Sequence, residues 1–289
     1  MRLLGAMAVL AAVLAGTSGA APGARDAFLV AVGDVASCTA ADDEATAGLV
    51  SRLPGTVAVL GDAVYDRGSP REFSSCYRPS WGRFKARTRP APGNHEYLTP
   101  EASGYFAYFG RAAGRPGQGW YSYELGAWHV VVLNSNCGEI GGCGRGSPQA
   151  EWLARDLGAH PRPCTAAYWH HPRFSSGTHG DEESMAPIWQ ILYARGVDLV
   201  LNGHDHDYER FAPQTPAGKR YPARGIRQIV VGTGGRSLRP FEELAPNSVA
   251  RSWKAYGVLA LRLSARSYSW RFVPVRPRAF ADAGSAACH

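Results

Sequence analysis

The stretch FLVAVGDVASCTAADDEATAGLVSRLPGTVAVLGD, residues 28–62, decides the architecture. Its two ends, FLVAV and TVAVL, are short apolar runs, and each closes on Gly-Asp. Such runs read as buried strands. Between them, ADDEATAGLVSRL (41–53) carries acidic residues in its first turn, where the helix dipole favours negative charge. Strand, helix and strand in this order imply a parallel pair covered on both faces. In sheets of that kind, sites form beyond the carboxyl ends of the strands. Asp34 and Asp62 stand there.

The pattern continues outward. WHVVVLNS (128–135), TAAYWHH (165–171) and VDLVLNGHDH (197–206) read as further strands. SPQAEWLARDLGAH (147–160) opens with a Ser cap and Pro at the first helical position, and MAPIWQILYARG (185–196) has helical period and a Gly stop. From Gly225 onward the character changes to GIRQIVVGTGG and then to YGVLALRLSARSYSWRFVPV, which has the form of a β-hairpin.

At the other end, Arg2 precedes the apolar run LLGAMAVLAAVL (3–14), with Ser18 and Ala20 placed for cleavage. This is the form of an export signal, and the run is too short for a membrane span of about 20 residues. The expectation is a signal peptide over 1–20 and one secreted domain over 21–289, with no membrane span after cleavage. Six cysteines fit that compartment and predict three disulfides. Cys137 and Cys143 bracket the turn GEIGG and are expected to pair. The formal charge is +7, but the arginines are spread along the chain without a basic run or a reading element, which argues against a nucleic-acid partner.

Five short segments carry the chemistry: GDV at Asp34, GDAVY at 61–65, GNHE at 93–96, WHHP at 169–172 and GHDH at 203–206. Four of them follow a strand-like run. Carboxylate, amide and imidazole donors together suit hard or borderline metal ions, and the absence of thiols argues against a structural zinc site. The glycines permit tight turns and close backbone approach. GTGG (232–235) lacks the Lys-Ser/Thr of a nucleotide loop and reads as a turn near the site.

This set of motifs resembles the calcineurin-like metallophosphoesterases, and the Tyr three residues after the second Asp resembles the purple acid phosphatases among them. The likeness runs from about Phe28 to Gly235, in a short single-domain form. It implies an α/β fold, a four-layer α-β-β-α sandwich of two mixed sheets with a dinuclear metal site at the strand ends. It implies Asp34, Asp62, Tyr65 and His206 around a first metal, Fe(III). Asp62, Asn94, His170 and His204 would surround a second, which is Fe(II), Zn(II) or Mn(II). Asp62 bridges. His95 falls on the substrate side, and His179 matches a substrate-side histidine loosely. Within the pair His170-His171, the resemblance favours His170 as the ligand.

Two such ions clamp the attacking and leaving oxygens of an in-line displacement and lower the pKa of bound water, so a metal-held hydroxide attacks phosphorus. Protonated His95 or His179 would serve the leaving alkoxide. The expectation is a secreted phosphatase acting on small phosphate monoesters. A diesterase acting on nucleotides or phospholipid head groups, or a non-catalytic metal- or phosphate-binding protein, would use the same scaffold.

Overall fold

A computed structural model describes residues 26–289; the expected signal peptide lies outside them. Two large mixed sheets form the fold. The six-stranded sheet runs, edge to edge, Ala283–Ala287, Ser267–Pro274, Gly257–Ser264, Ala27–Val32, Thr56–Leu60 and Thr88–Ala91. The seven-stranded sheet runs Ser248–Ser252, Tyr208–Phe211, Arg227–Val231, Leu199–Asn202, Thr165–Tyr168, Trp128–Val132 and Tyr121–Leu125. At the middle of each sheet the strands are parallel: Ala27–Val32 with Thr56–Leu60, and Trp128–Val132 through Thr165–Tyr168 and Leu199–Asn202 to Arg227–Val231.

Side-chain alternation explains the layering, because successive residues of a strand face opposite sides. In the seven-stranded sheet, Val130, Tyr168, Leu199, Leu201 and Val231 join Leu29, Leu259 and Leu261 of the six-stranded sheet in one core. Their neighbours Val131, Trp169, Val200 and Val230 turn the other way. They pack with Leu153, Ile188 and Trp189, which lie on the helices Pro148–Ala159 and Ala186–Ala194. On the outer side of the six-stranded sheet, the helix Asp42–Val50 packs against Gly257–Ser264. The order is therefore helix, sheet, sheet, helix.

The expected helices form at these places, and Ser147 caps the second by accepting from Ala150 N at 3.3 Å. The expected hairpin is Gly257–Ser264 with Ser267–Pro274. Thr88–Ala91 is a strand that the sequence reading does not contain. It includes Pro90, which lacks an N–H, and it lies at the sheet edge, where proline is tolerated. With that strand in place, all five chemical segments follow strand ends.

Disulfides join Cys38 to Cys76, Cys137 to Cys143 and Cys164 to Cys288, so the expected 137–143 pair forms. The last ties the start of Thr165–Tyr168 to the tail beyond Ala283–Ala287, linking the two sheets. Among the described residues, no helix is long and apolar enough to cross a membrane.

Candidate metal centre

The six-stranded sheet delivers Asp34, Asp62, Tyr65, Asn94 and His95 from three strand ends, and the seven-stranded sheet delivers His170, His204 and His206 from two. The chain makes sharp exits there. Asp34, Asp62 and His204 adopt φ of 61°, 48° and 72°, a left-handed conformation that costs a residue other than glycine about 1 kcal/mol or more. Each is held by bonds to another segment. Asp34 Oδ2 accepts from His204 N at 2.8 Å, and Asp62 Oδ1 from His95 N at 2.9 Å. The preceding glycines make room: a Cβ on Gly61 would lie 2.4 Å from His170 Nδ1, and one on Gly203 would lie 2.7 Å from Asp34 Oδ2.

Two knots of donor atoms result. In the first, Tyr65 Oη donates to Asp34 Oδ1 at 2.7 Å and lies 3.2 Å from His206 Nε2. In the second, His170 Nε2 lies 3.3 Å from Asp62 Oδ2, 3.1 Å from Asn94 Oδ1 and 3.3 Å from His204 Nδ1. Carboxylate oxygens of Asp34 and Asp62 and a ring nitrogen of His170 all lie within 4.8 Å of one another, which joins the knots. The imidazoles are fixed from behind, as metal-ligating histidines are. His170 Nδ1 donates to Leu60 O at 2.8 Å and His206 Nδ1 to Ser237 O at 2.8 Å.

The donor set fits cations. His170 Nε2 carries at most one hydrogen yet faces three lone-pair-bearing atoms, so the second knot has more acceptors than protons. Burial opposes a charge on His170, but Asp62 and Asp34 outweigh it and carry its pKa to about 10; a proton there meets the buried negative charge that a metal would otherwise meet. Burial and the neighbouring Asp62 charge push Asp34 up to about 7, although His170 and the Tyr65 bond pull it down. Burial depresses His206 to about 4 and His204 further, leaving both as neutral lone-pair donors.

Glu96 is fully buried and braces this arrangement. Its carboxylate accepts from Asp62 N at 3.0 Å and from Gly93 N at 2.7 Å. Its role as loop support follows from those bonds.

His95 stands at the rim. Its ring packs on Tyr65 with centroids 4.3 Å apart, its Nδ1 meets Asp66 O at 2.6 Å, and its Nε2 lies 3.9 Å from Asp62 Oδ2. His179 is close too, with its ring 4.1 Å from that of His204. Both of its nitrogens have protein partners: Nδ1 meets Asp205 Oδ1 at 2.9 Å and Nε2 meets Arg239 at 3.1 Å. Asp205, between the two histidines of GHDH, is buried and orients His179.

His170 and His171 do not point to opposite faces as strand neighbours would. Their strand ends at Tyr168, and both rings turn toward His204, at 5.0 and 4.3 Å. His171 faces Ser135 Oγ at 2.7 Å instead of the carboxylates. The sequence gives Arg236 and Arg239 no role, since single arginines after a Gly-rich turn carry no signal of their own. GTGG itself is the turn expected beside the site: Gly234 N donates to Gly33 O at 3.0 Å.

The chain is similar to known proteins in sequence and in fold. A calcineurin-like phosphoesterase family model matches residues 29–208. Purple acid phosphatase 15 of Arabidopsis thaliana is 31% identical over 229 residues, covering 65% of this chain and 41% of that protein. Purple acid phosphatase 23 of the same plant is 30% identical over 255 residues, covering 73% and 52%. This chain thus spans about half, or less, of the length of these relatives. The structure of purple acid phosphatase PPD1 from yellow lupin (Lupinus luteus) superposes with a TM-score of 0.73 at 15% identity, covering 91% of this chain and 54% of that one. On its sequence and its fold alike, the chain belongs to the calcineurin-like phosphoesterases and is similar within them to the purple acid phosphatases.

Proposed function

We propose that this protein is a secreted, dinuclear metal-dependent phosphatase that hydrolyses phosphate monoesters. The observation that carries the reading is the meeting of Asp34, Tyr65 and His206 with Asp62, Asn94, His170 and His204 in two joined knots of lone-pair donors. Asp34, Asp62, Tyr65 and His206 would hold one ion, with Fe(III) suited to the phenolate. Asp62, Asn94, His170 and His204 would hold Fe(II), Zn(II) or Mn(II). When bound, the ions supply Lewis-acid activation of water and of phosphoryl oxygens.

The chain's own groups do the rest. Leu60 O and Ser237 O accept from the Nδ1 atoms of His170 and His206, so with ions bound the Nε2 atoms facing the centre would be the lone-pair donors. Glu96 holds the Asp62 turn rigid. His95, partly exposed beside Asp62, would meet a substrate phosphate and give a proton to a departing alkoxide. His179 and Asp205 orient the rim beside His204. Export is supported by the apolar run at 3–14 and by the three disulfides.

The test is metal analysis and a visible spectrum on purified protein, followed by rates on matched phosphate mono- and diesters. Two metals per chain and faster monoester turnover are the expected result. A protein that holds two metals and hydrolyses neither ester would overturn the enzymatic reading.

A further inference from the structure

The segment after the Gly-rich turn is hung directly on the proposed centre. Arg236 N donates to Asp34 O at 3.0 Å, Arg239 N donates to His206 O at 3.0 Å, and His206 Nδ1 donates to Ser237 O at 2.8 Å. This hangs two arginines beside the centre, Arg236 on its Tyr65 side and Arg239 on its His179 side. Arg236 lies over the Tyr65 ring, 4.7 Å from its centroid, with nitrogens 3.3 Å from Asp66 Oδ1 and 3.3 Å from Ser37 Oγ. Arg239 reaches His179 Nε2 at 3.1 Å and makes no ion pair among the described residues. A guanidinium has five N–H donors in a planar fork suited to carboxylate and phosphate. These contacts leave most of those donors unused on both arginines.

Neither arginine is needed as a counter-charge for the fold. Asp34 and Asp62 are answered by the imidazoles and the proposed ions, and Asp66 is an exposed partner for Arg236 alone. Beyond His179 the surface turns acidic, with Asp181, Glu242 and Glu243 lining a cavity of about 400 Å³. His179, which Arg239 contacts, lines that cavity too, so Arg239 stands between the acidic surface and the centre.

We propose that Arg236 and Arg239 form a second anion subsite beside the proposed dinuclear centre. This subsite selects phosphate esters whose leaving group bears another anionic group, a carboxylate or a second phosphate. The inference rests on the phosphatase reading and deepens it. The scissile phosphate occupies the centre and His95, while the remote anion of the same molecule takes the guanidinium forks. Binding energy from that remote group positions the reacting end.

The experiment compares kcat/KM of metal-loaded wild type and the Arg236→Gln/Arg239→Gln double variant. The substrates are an aryl phosphate without further charge, phosphoglycolate and propane-1,3-diol bisphosphate. The ratio of charged to aryl substrate should fall by about 10–100-fold in the double variant, the scale of lost charge-assisted hydrogen bonds. The Arg236→Lys/Arg239→Lys variant should keep part of the ratio. The two charged substrates separate a carboxylate preference from a phosphate one. Equal loss on all three substrates, or none, overturns the subsite. Binding of tripolyphosphate, measured by calorimetry, provides an independent readout. If wild type turns over no ester, the phosphatase reading fails. The subsite then stands only if tripolyphosphate binds the double variant about tenfold more weakly.

Discussion

Tyr65 donates its phenolic hydrogen to Asp34 across 2.7 Å, and the same oxygen lies 3.2 Å from a His206 nitrogen that has no hydrogen of its own to give. Burial and the charges of Asp34 and Asp62 push the phenol's pKa well above 10, so the proton leaves only when a cation takes its place. Iron-loaded wild type should therefore show a visible absorption band that Tyr65→Phe lacks. A colourless wild type with full iron occupancy would sink the assignment.

The two adjacent histidines should separate cleanly. His170 is fully buried and faces Asp62 and Asn94, whereas His171 faces Ser135. His170→Ala should lose at least one metal equivalent and turnover together, and His171→Ala should keep both metals. Elemental analysis of the two variants decides; the reverse pattern would assign the ligand to His171.

His95 should act on the substrate and not on the metals. Replacing it by Ala should leave both metals bound and lower the rate on an alkyl phosphate by about 10²–10⁴, the usual scale for lost acid–base help. The loss should be smaller on an aryl phosphate, whose leaving group needs no proton. Loss of a metal ion, or equal losses on both esters, would refute this role.

Away from the centre, His129 is clamped between Glu124 at 2.9 Å and Asp156 at 2.7 Å, which ties the hairpin Tyr121–Val132 to the helix Pro148–Ala159. Burial disfavours the His129 charge, but the bonds to Asp156 and Glu124 outweigh it and raise its pKa above 6.5. Against burial, the same bonds hold Asp156 below 3.8 and Glu124 below 4.5. The histidine's contribution is full below 6.5 and is lost as pH rises through its raised pKa. The carboxylates' contribution is full above 4.5 and is lost as pH falls through their lowered values. The clamp is thus strongest between 4.5 and 6.5. The Tm difference between wild type and His129→Gln, about 2–4 °C for each kcal/mol lost in a chain of this size, should be largest at about pH 5.5 and shrink by about pH 9. A difference that grows toward pH 9 would contradict the clamp.

The disulfides should rank by the loop each closes. Cys164–Cys288 spans 124 residues and Cys137–Cys143 spans 6. In the chain-entropy model these are worth about 5 and about 2 kcal/mol. Urea unfolding of the paired Cys→Ser variants should show the greater loss for the 164–288 pair; equal losses would discount loop closure as the cause.

Much of the site was legible because its signals are local. A run such as TVAVL followed by Gly-Asp states both a strand and its sharp exit within seven residues, and a strand run with a following glycine marks Asp34 and His204 as well. The edge strand Thr88–Ala91 was not legible, since Pro90 and Arg89 break the apolar pattern and only its place at the sheet edge excuses them. The arginines at 236 and 239 were silent for a related reason: a guanidinium acquires meaning from what it lies against, and Tyr65 and His179 are far off in the chain.

By itself the sequence determined the alternation of strands and helices, the donor types at the strand ends and the Cys137–Cys143 pair, because periodicity, turn chemistry and short loops are properties of neighbouring residues. Only the tertiary structure decided that Asp34 and His204, 170 residues apart, would share a hydrogen bond. It also decided that His170 rather than His171 would face the carboxylates, and that Asp205 would seat His179. Those outcomes depend on how two sheets stack and where their strand ends meet, and no local pattern encodes that meeting point.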